Sequence, residues 1–292
     1  MIVSLLLTVA LGTQAQLKVA PKLEKGLVKN YVSSSTVDAP GQQAFTVTTD
    51  TKYTVTEATA DGYVIDVVNT ECTTDAGADN VVGKVMSASE QLLKGINVRV
   101  ATNKDGKPEK VVNYDELKGK LDAGADKMVE EIFKAAPKVG AVLSKDALKA
   151  NIMDNATEDA LLKSVSTGVL ALSGKTVMTG AQEDYVSDQG LKMKRMYFVN
   201  GRSVVTNGSL NMSKDDMKAL IVAQVEKSLP DQADMIKQNI DQLIDSGMLK
   251  MDMKETATYE LADDNWVKSI QSEITNETMG QKSVIKTTVT QK

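Results

Sequence analysis

Histidine is absent from all 292 residues of the chain. Its absence removes imidazole as general base, as the partner of a nucleophile and as a metal ligand, which excludes His-dependent triads and His-ligated metals. Catalysis by carboxylate, lysine or tyrosine stays open. Cysteine occurs once, as Cys72. A single thiol forms no intrachain disulfide, and without a histidine base it reads as a small buried residue at the end of a strand. Aromatic residues make up 4%, with one Trp and three Phe, too few to build stacking platforms for bases or sugars. Positive charge is also short: 34 Lys and Arg stand against 39 Asp and Glu, a net charge of -5 and a pI near 5.1. With no basic cluster to meet phosphates, nucleic acid is excluded as a partner.

Hydrophobic residues reach 42%, enough for a sizeable core in one large domain or two small ones. The longest apolar run, 2–11, lies in MIVSLLLTVALGTQA and is followed by Thr13 and Ala15, small residues suited to signal peptidase. Residues 1–15 are therefore expected to be a cleaved export signal, although no Lys or Arg precedes the run. About ten apolar residues are too few to span a bilayer, so no transmembrane span is expected after cleavage. No Cys follows to accept a lipid. The mature chain, 16–292, is expected to be a single α+β domain in the periplasm or secreted, with 137–174 as the place where two lobes would meet.

Alternation of Val, Thr and Tyr predicts strands over 25–37, 44–58 and 63–69, joined through Ala39-Pro40-Gly41 and Asp61-Gly62. Helical spacing of Val81, Val85, Met86, Leu92 and Leu93 ends at Gly95, and a longer stripe of Leu117, Leu121, Met128, Val129, Ile132 and Phe133 predicts a helix over 114–136. Between them, Asp105-Gly106 joins strands over 95–102 and 110–112, and Asn113 with Glu116 forms a candidate capping box. Ser144 and Thr157 are candidate caps for helices over 145–153 and 158–172, and 175–185 reads as a strand. The clearest unit is 191–220: Asn200-Gly201 between alternating runs predicts a type I′ hairpin, and Ser213 with Asp216 caps a following helix. Helices over 214–228 and 231–246, then strands over 249–260, 266–275 and 283–290, complete the chain. Paired strands with helices between the pairs predict an antiparallel, curved sheet of about ten strands with helices packed on one face.

Several motifs fail on spacing or context. Ser173-Gly174-Lys175-Thr176 resembles the end of a phosphate-binding loop, but the required glycine position holds Val169. Ser283-Val284-Ile285-Lys286 fits a Ser-x-x-Lys nucleophile motif yet lies in a strand without its companion motifs. Asp75, Asp79 and Asn80, or Asp263, Asp264 and Asn265, could offer oxygens to Ca²⁺, but turn chemistry explains both, so no metal and no cofactor is expected. Asp234, Asp241 and Asp245 read as a solvated helix face, and Asn155, Asn207, Asn211 and Asn276 stand in Asn-x-Ser/Thr sequences.

Methionine is the abundant residue, at 14. Leu249, Met251 and Met253 share one strand face by alternation, and Met193 and Met196 lie in the central hairpin. Thioethers adapt to irregular apolar ligands, so these five are the candidate ligand-binding residues, against ordinary core packing as the alternative. The segments Leu93-Lys94-Gly95-Ile96-Asn97-Val98, Lys104-Asp105-Gly106-Lys107 and Asn265-Trp266-Val267-Lys268 resemble those of uncharacterised exported proteins of Bacteroidota. The count of strands and helices is similar to that of periplasmic lipoprotein carriers, whose curved sheets hold acyl chains. The resemblance implies a non-catalytic envelope protein binding a lipid, another hydrophobic small molecule or a partner segment. The alternative is a hydrolase or lyase built on carboxylate, Lys or Tyr groups.

Overall fold

A computed structural model describes residues 15–77, 80–135, 144–187, 190–228, 233–246, 251–278 and 280–292. Strands β1 (Gln16–Lys18), β2 (Val28–Asp38), β3 (Phe45–Ala58) and β4 (Gly62–Thr74) lead to helix α1 (Val81–Leu93). Then come β5 (Asn97–Asn103), β6 (Pro108–Val111), α2 (Tyr114–Ala135), α3 (Lys145–Asp154), α4 (Glu158–Thr167), β7 (Thr176–Met178) and β8 (Gln182–Val186). The chain closes with β9 (Lys192–Asn200), β10 (Ser203–Leu210), α5 (Lys214–Ser228), α6 (Ala233–Asp245), β11 (Met251–Leu261), β12 (Val267–Thr278) and β13 (Gln281–Gln291).

Eleven strands make one antiparallel sheet in the order β6-β5-β4-β3-β2-β13-β12-β11-β10-β9-β8, and β1 pairs separately with β7. The fold is α+β, as the strand pairing in the sequence predicts. Where one strand was expected over 175–185, a turn at Thr179-Gly180, with Gly180 at φ +83°, splits it into β7 and β8. The central hairpin forms, but Asn200 pairs with Ser203, so its two-residue tip is Gly201-Arg202. Only Gly201 has positive φ, +59°, the pattern of a type II′ turn rather than type I′. Ser213 caps α5: its Oγ accepts the Asp216 amide at 3.1 Å, and the Asp216 carboxylate accepts the Ser213 amide. Asn113 does not cap α2. Its side chain instead takes the Arg99 amide and donates to the Asn97 carbonyl, fastening the helix entry to β5. Helix α4 stops at Thr167, short of the expected 172, because Gly168 leaves helical geometry at φ -88°, ψ -126°.

Laid flat, eleven strands would span roughly 48 Å at about 4.8 Å per strand. Helix α4 has ten residues, about 15 Å, yet it packs on β6 while its Lys163 Nζ donates to the Ser187 carbonyl at 2.6 Å, just past β8. The sheet must therefore roll until its two edges approach each other. It does not close, since β6 and β8 are not paired. Inside the roll, residues from both halves of the chain share one apolar cluster that includes Tyr31, Ile65, Val100, Leu121, Leu161, Tyr197, Tyr259 and Trp266. The end of the roll at the 201–202 and 262–266 turns is plugged: buried Trp266 donates Nε1 to the Lys22 carbonyl and meets Tyr53 edge-on. The convex face is hydroxyl-rich, with Thr36 and Thr46 hydroxyls 3.0 Å apart across β2 and β3.

Candidate functional site

Side chains alternate between the faces of a strand, and the register aligns the inward ones into rows across the sheet. One such row runs Arg195, Gly208, Glu255, Ile274, Ile285, Val37 and Phe45, from β9 to β3. The row beside it, one step toward Trp266, runs Tyr197, Thr206, Ala257, Ser272, Thr287, Ser35 and Val47. At the middle strands the inward side chains are thus small hydroxyls next to isoleucines. Ser35 Oγ and Thr287 Oγ1 lie 2.9 Å apart, and Ser35, Ser272, Ile274, Ile285 and Thr287 are all only half-buried. To either side the apolar surface is sealed. Val37, Phe45, Val47 and Cys72 form one closed cluster under α1, with burial pushing the Cys72 thiol up. Leu191, Met193 and Met253 form the other, with Leu220 of α5 packed on it. The concave face therefore carries a partly open strip, hydroxyls on one row and isoleucines on the next, between two dry flanks.

At the β8 side of this strip stand two ionic groups. Arg195 Nη2 donates to Glu255 Oε1 at 2.8 Å, the Tyr185 hydroxyl donates to Glu255 Oε2 at 2.8 Å, and the guanidinium lies 4.0 Å over the Tyr185 ring. Gly208 makes room for this stack, since a Cβ there would sit 2.6 Å from Tyr185 Oη. Beside it, Lys175 Nζ meets both Glu183 oxygens at 2.9 Å and the Tyr197 hydroxyl donates to Glu183. Burial and the neighbouring carboxylates push both phenols upward. Burial opposes ionisation of Glu183, but the Tyr197 and Lys175 hydrogen bonds outweigh it and hold the carboxyl low. Burial likewise disfavours the Arg195 cation, and Glu255 overcomes it. These are the carboxylate, lysine and tyrosine groups that could have served catalysis. The shifts of Glu183, Tyr185 and Tyr197 run away from neutrality, whereas a general acid or base works near the operating pH. The sequence signal for them was charge at inward alternation positions: Glu183 and Tyr185 on β8, Arg195 and Tyr197 on β9, Glu255 on β11.

Of the five methionine-face candidates, Met193 and Met253 meet in the sealed cluster, at 1% and 3% exposure, and half-buried Met251 packs against them. Met196 is three residues from Met193, an odd separation that puts it on the convex face, where its cross-strand partners Gln182 and Asn207 are exposed. Leu249 lies outside the described residues, as does Asp79. Lys175 of the Ser-Gly-Lys-Thr segment is committed to Glu183, and Gly174 packs beside Lys107. Asp75 accepts the Thr46 amide, Asp264 pairs with Lys29, and Asn265 takes φ +60° in its turn. Asp241 and Asp245 pair with Lys218 and Lys214 across the α5–α6 hairpin. Among the described residues, no group of three or more Cys, Asp or Glu is arranged to hold a metal, and no helix is long and apolar enough to cross a membrane.

No protein-family model and no curated protein matches the sequence, so the resemblance to exported Bacteroidota proteins has no support from a sequence family. Among solved structures the chain is similar to lipovitellin, in a structure describing its lipid–protein interactions, with 7% identity and a TM-score of 0.42. That alignment covers 93% of this chain and 25% of the other, so the chain spans about a quarter of that protein's length. It is also similar to a porin-like protein from Bacteroides uniformis ATCC 8492, with 10% identity, coverage of 90% and 96%, and a TM-score of 0.16. Likeness this weak says nothing of what the present chain binds.

Proposed function

We propose that the chain is an exported, non-catalytic protein that holds a hydrophobic ligand, such as a lipid acyl chain, on the concave strip of its rolled sheet. The observation that carries this reading is the pair of inward-facing isoleucines, Ile274 and Ile285, left half-buried between two sealed apolar clusters. Apolar side chains that face inward yet remain open to solvent form a surface a ligand can cover. Met251 lies at the border of the strip, and the hydroxyls of Ser35, Ser272 and Thr287 offer hydrogen bonds to the ligand's polar end. The mutual pairing of Arg195 with Glu255 and of Lys175 with Glu183 supports a binding rather than a catalytic role. Export is supported by the apolar run at 2–11.

A fluorescent fatty acid should bind the purified protein and raise its melting temperature. Met251→Lys should fold, because a half-buried lysine can extend its ammonium to water, and should lose binding. No affinity in the parent protein, together with unfolding of Met251→Lys, would overturn the reading. For export, Edman sequencing of envelope-fraction protein should begin at Gln16, and retention of residues 1–15 would refute that part.

A further inference from the structure

Soft-donor chemistry in this chain rests on thioether sulfur, since it has no histidine, one cysteine and 14 methionines. Cys72 is buried at 2% exposure in its own cluster under α1, where burial holds the thiol protonated. Four methionines far apart in sequence come together on the other flank of the strip. Met193 of β9 and Met253 of β11 form a buried floor, and Met212 and Met251 pack on it while remaining half-buried. The register explains the convergence. Met193 pairs with Leu210, and because Ser209 pairs with Lys254, Leu210 in turn stands opposite Met253. The two floor methionines therefore lie two strand spacings apart, about 9.6 Å at the backbone, with their side chains on one face. Met251 precedes Met253 on that face by about 6.8 Å, and Met212 comes two residues after Leu210.

A thioether carries no charge and no proton to lose, and its polarisable sulfur selects soft cations such as Cu(I) over oxygen-seeking ions. Packing alone calls for apolar side chains, which Leu191, Leu210 and Leu220 supply in this cluster; it does not call for sulfur at four positions of it. The inward carboxylate of the next row, Glu255, is committed to Arg195 and Tyr185. A single positive charge is the least that burial then penalises, so a monovalent ion suits the cluster better than a divalent one. We propose that Met193, Met212, Met251 and Met253 bind one soft monovalent cation of the Cu(I) class through their sulfurs, the ion entering from the side of half-buried Met212 and Met251. The ion exchanges its water or carrier ligands for sulfur, and no electron or proton is transferred. This site borders the acyl-chain strip at Met251 and does not depend on it.

Silver(I), the redox-stable analogue of Cu(I), is the probe, titrated by calorimetry in chloride-free buffer into Cys72→Ala protein so that the thiol cannot take the ion. One equivalent should bind saturably and raise the melting temperature, whereas Zn²⁺ and Ca²⁺ should not bind. Met251→Leu and Met253→Leu keep volume, an exchange that cores tolerate. Each should weaken silver by about ten-fold or more, the least that losing even a supporting residue costs a metal site, and the double variant should abolish saturable binding. Met196→Leu, on the convex face, should leave the affinity unchanged. X-ray absorption of the Cu(I)-loaded protein should show sulfur neighbours alone. A fluorescent fatty acid should still bind Met251→Leu, because leucine keeps the apolar border of the strip, so loss of silver binding there is distinguishable from loss of the acyl-chain site. Absence of saturable silver binding in Cys72→Ala, or affinity unchanged in the double variant, would overturn the proposal. So would a loss in Met196→Leu equal to that in Met253→Leu, or oxygen or nitrogen neighbours around the ion.

Discussion

Removing one member of the Arg195–Glu255 pair should cost far more than removing both. The two side chains are each 15% exposed, and their closest N–O distance is 2.8 Å. Truncating one partner of a buried pair strands the other charge at a cost of about 3–5 kcal/mol, whereas apolar replacement of both is often neutral or stabilising. Residual contact with water reduces the single cost here to about 2–4 kcal/mol. The two singles should also differ. In Arg195→Met, Glu255 keeps the Tyr185 hydroxyl donating to it at 2.8 Å. In Glu255→Met, Arg195 keeps its stack on the Tyr185 ring but loses its carboxylate, and its Nε is already buried without a hydrogen-bond partner among the described residues. Glu255→Met should therefore be the worse single. The double variant should lie within about 1 kcal/mol of the parent, leaving a coupling of about 2 kcal/mol or more by double-mutant cycle. Urea unfolding of the four proteins at constant m measures it. Additive single costs, or singles below about 0.5 kcal/mol, would show that the pair is solvated and does not form a wall of the concave strip.

Two further outcomes follow from local geometry. Gly62→Ala would place a Cβ 1.9 Å from the Thr102 carbonyl oxygen on β5. Because a backbone atom cannot swing away, the β4–β5 ladder must part, at about 3 kcal/mol or more; an unchanged urea midpoint would refute the pairing of Gly62 with Asn103. Glu90→Gln should stabilise the protein at neutral pH and leave it nearly unchanged near pH 4. The Glu90 carboxyl is raised, chiefly by desolvation, so the folded state holds its proton more tightly than the unfolded state does. That contribution is fully present below the unfolded value of 4.5 and is lost as pH rises through the higher folded value. A melting-temperature difference between parent and variant that does not grow from pH 4 to pH 7 would refute the desolvation of this half-buried carboxyl.

What the sequence disclosed was local. Alternation around Asn200 located the central hairpin and Ser213 with Asp216 located the start of α5, because turn and cap chemistry act within a few residues. The one-residue shift of the hairpin tip was hidden, since Asn200 and Gly201 both tolerate positive φ and only the pairing of Asn200 with Ser203 decides between them. Asn113 looked like a cap for α2, but β5 competes for its side chain, and β5 is close only once β5 and β6 have paired. Met193 and Met196 were grouped by proximity along the chain, while the pleat assigns them to opposite faces. The row that unites Arg195 with Glu255, Ile274 and Ile285 needs the register of five adjacent strands, and no stretch of sequence carries that.

Local pattern and tertiary placement disagree most on the concave strip, and the disagreement bears on function. Inward positions of a closed core should be apolar, yet Ser35, Ser272 and Thr287 occupy them in the middle of the sheet, with Arg195 and Glu255 in the next row. Positions that break the pattern in this way are where binding sites are expected. Buried without partners, the three hydroxyls would each cost about 1–3 kcal/mol. Two of them meet each other at 2.9 Å, and all three remain partly open, so the strip avoids that cost only while water or a ligand's polar group can reach it. The rest of the roll needs no such access, because Trp266, Tyr31, Tyr53 and Val55 are buried there at 1–7% exposure and the Tyr31 hydroxyl donates to the Val267 carbonyl at 2.7 Å. One continuous sheet thus joins a dry, cross-braced end to a strip that must stay accessible. The braced end can hold the strip's curvature fixed whether or not the strip is occupied, a preorganisation that reduces what a ligand would otherwise spend on ordering its own site.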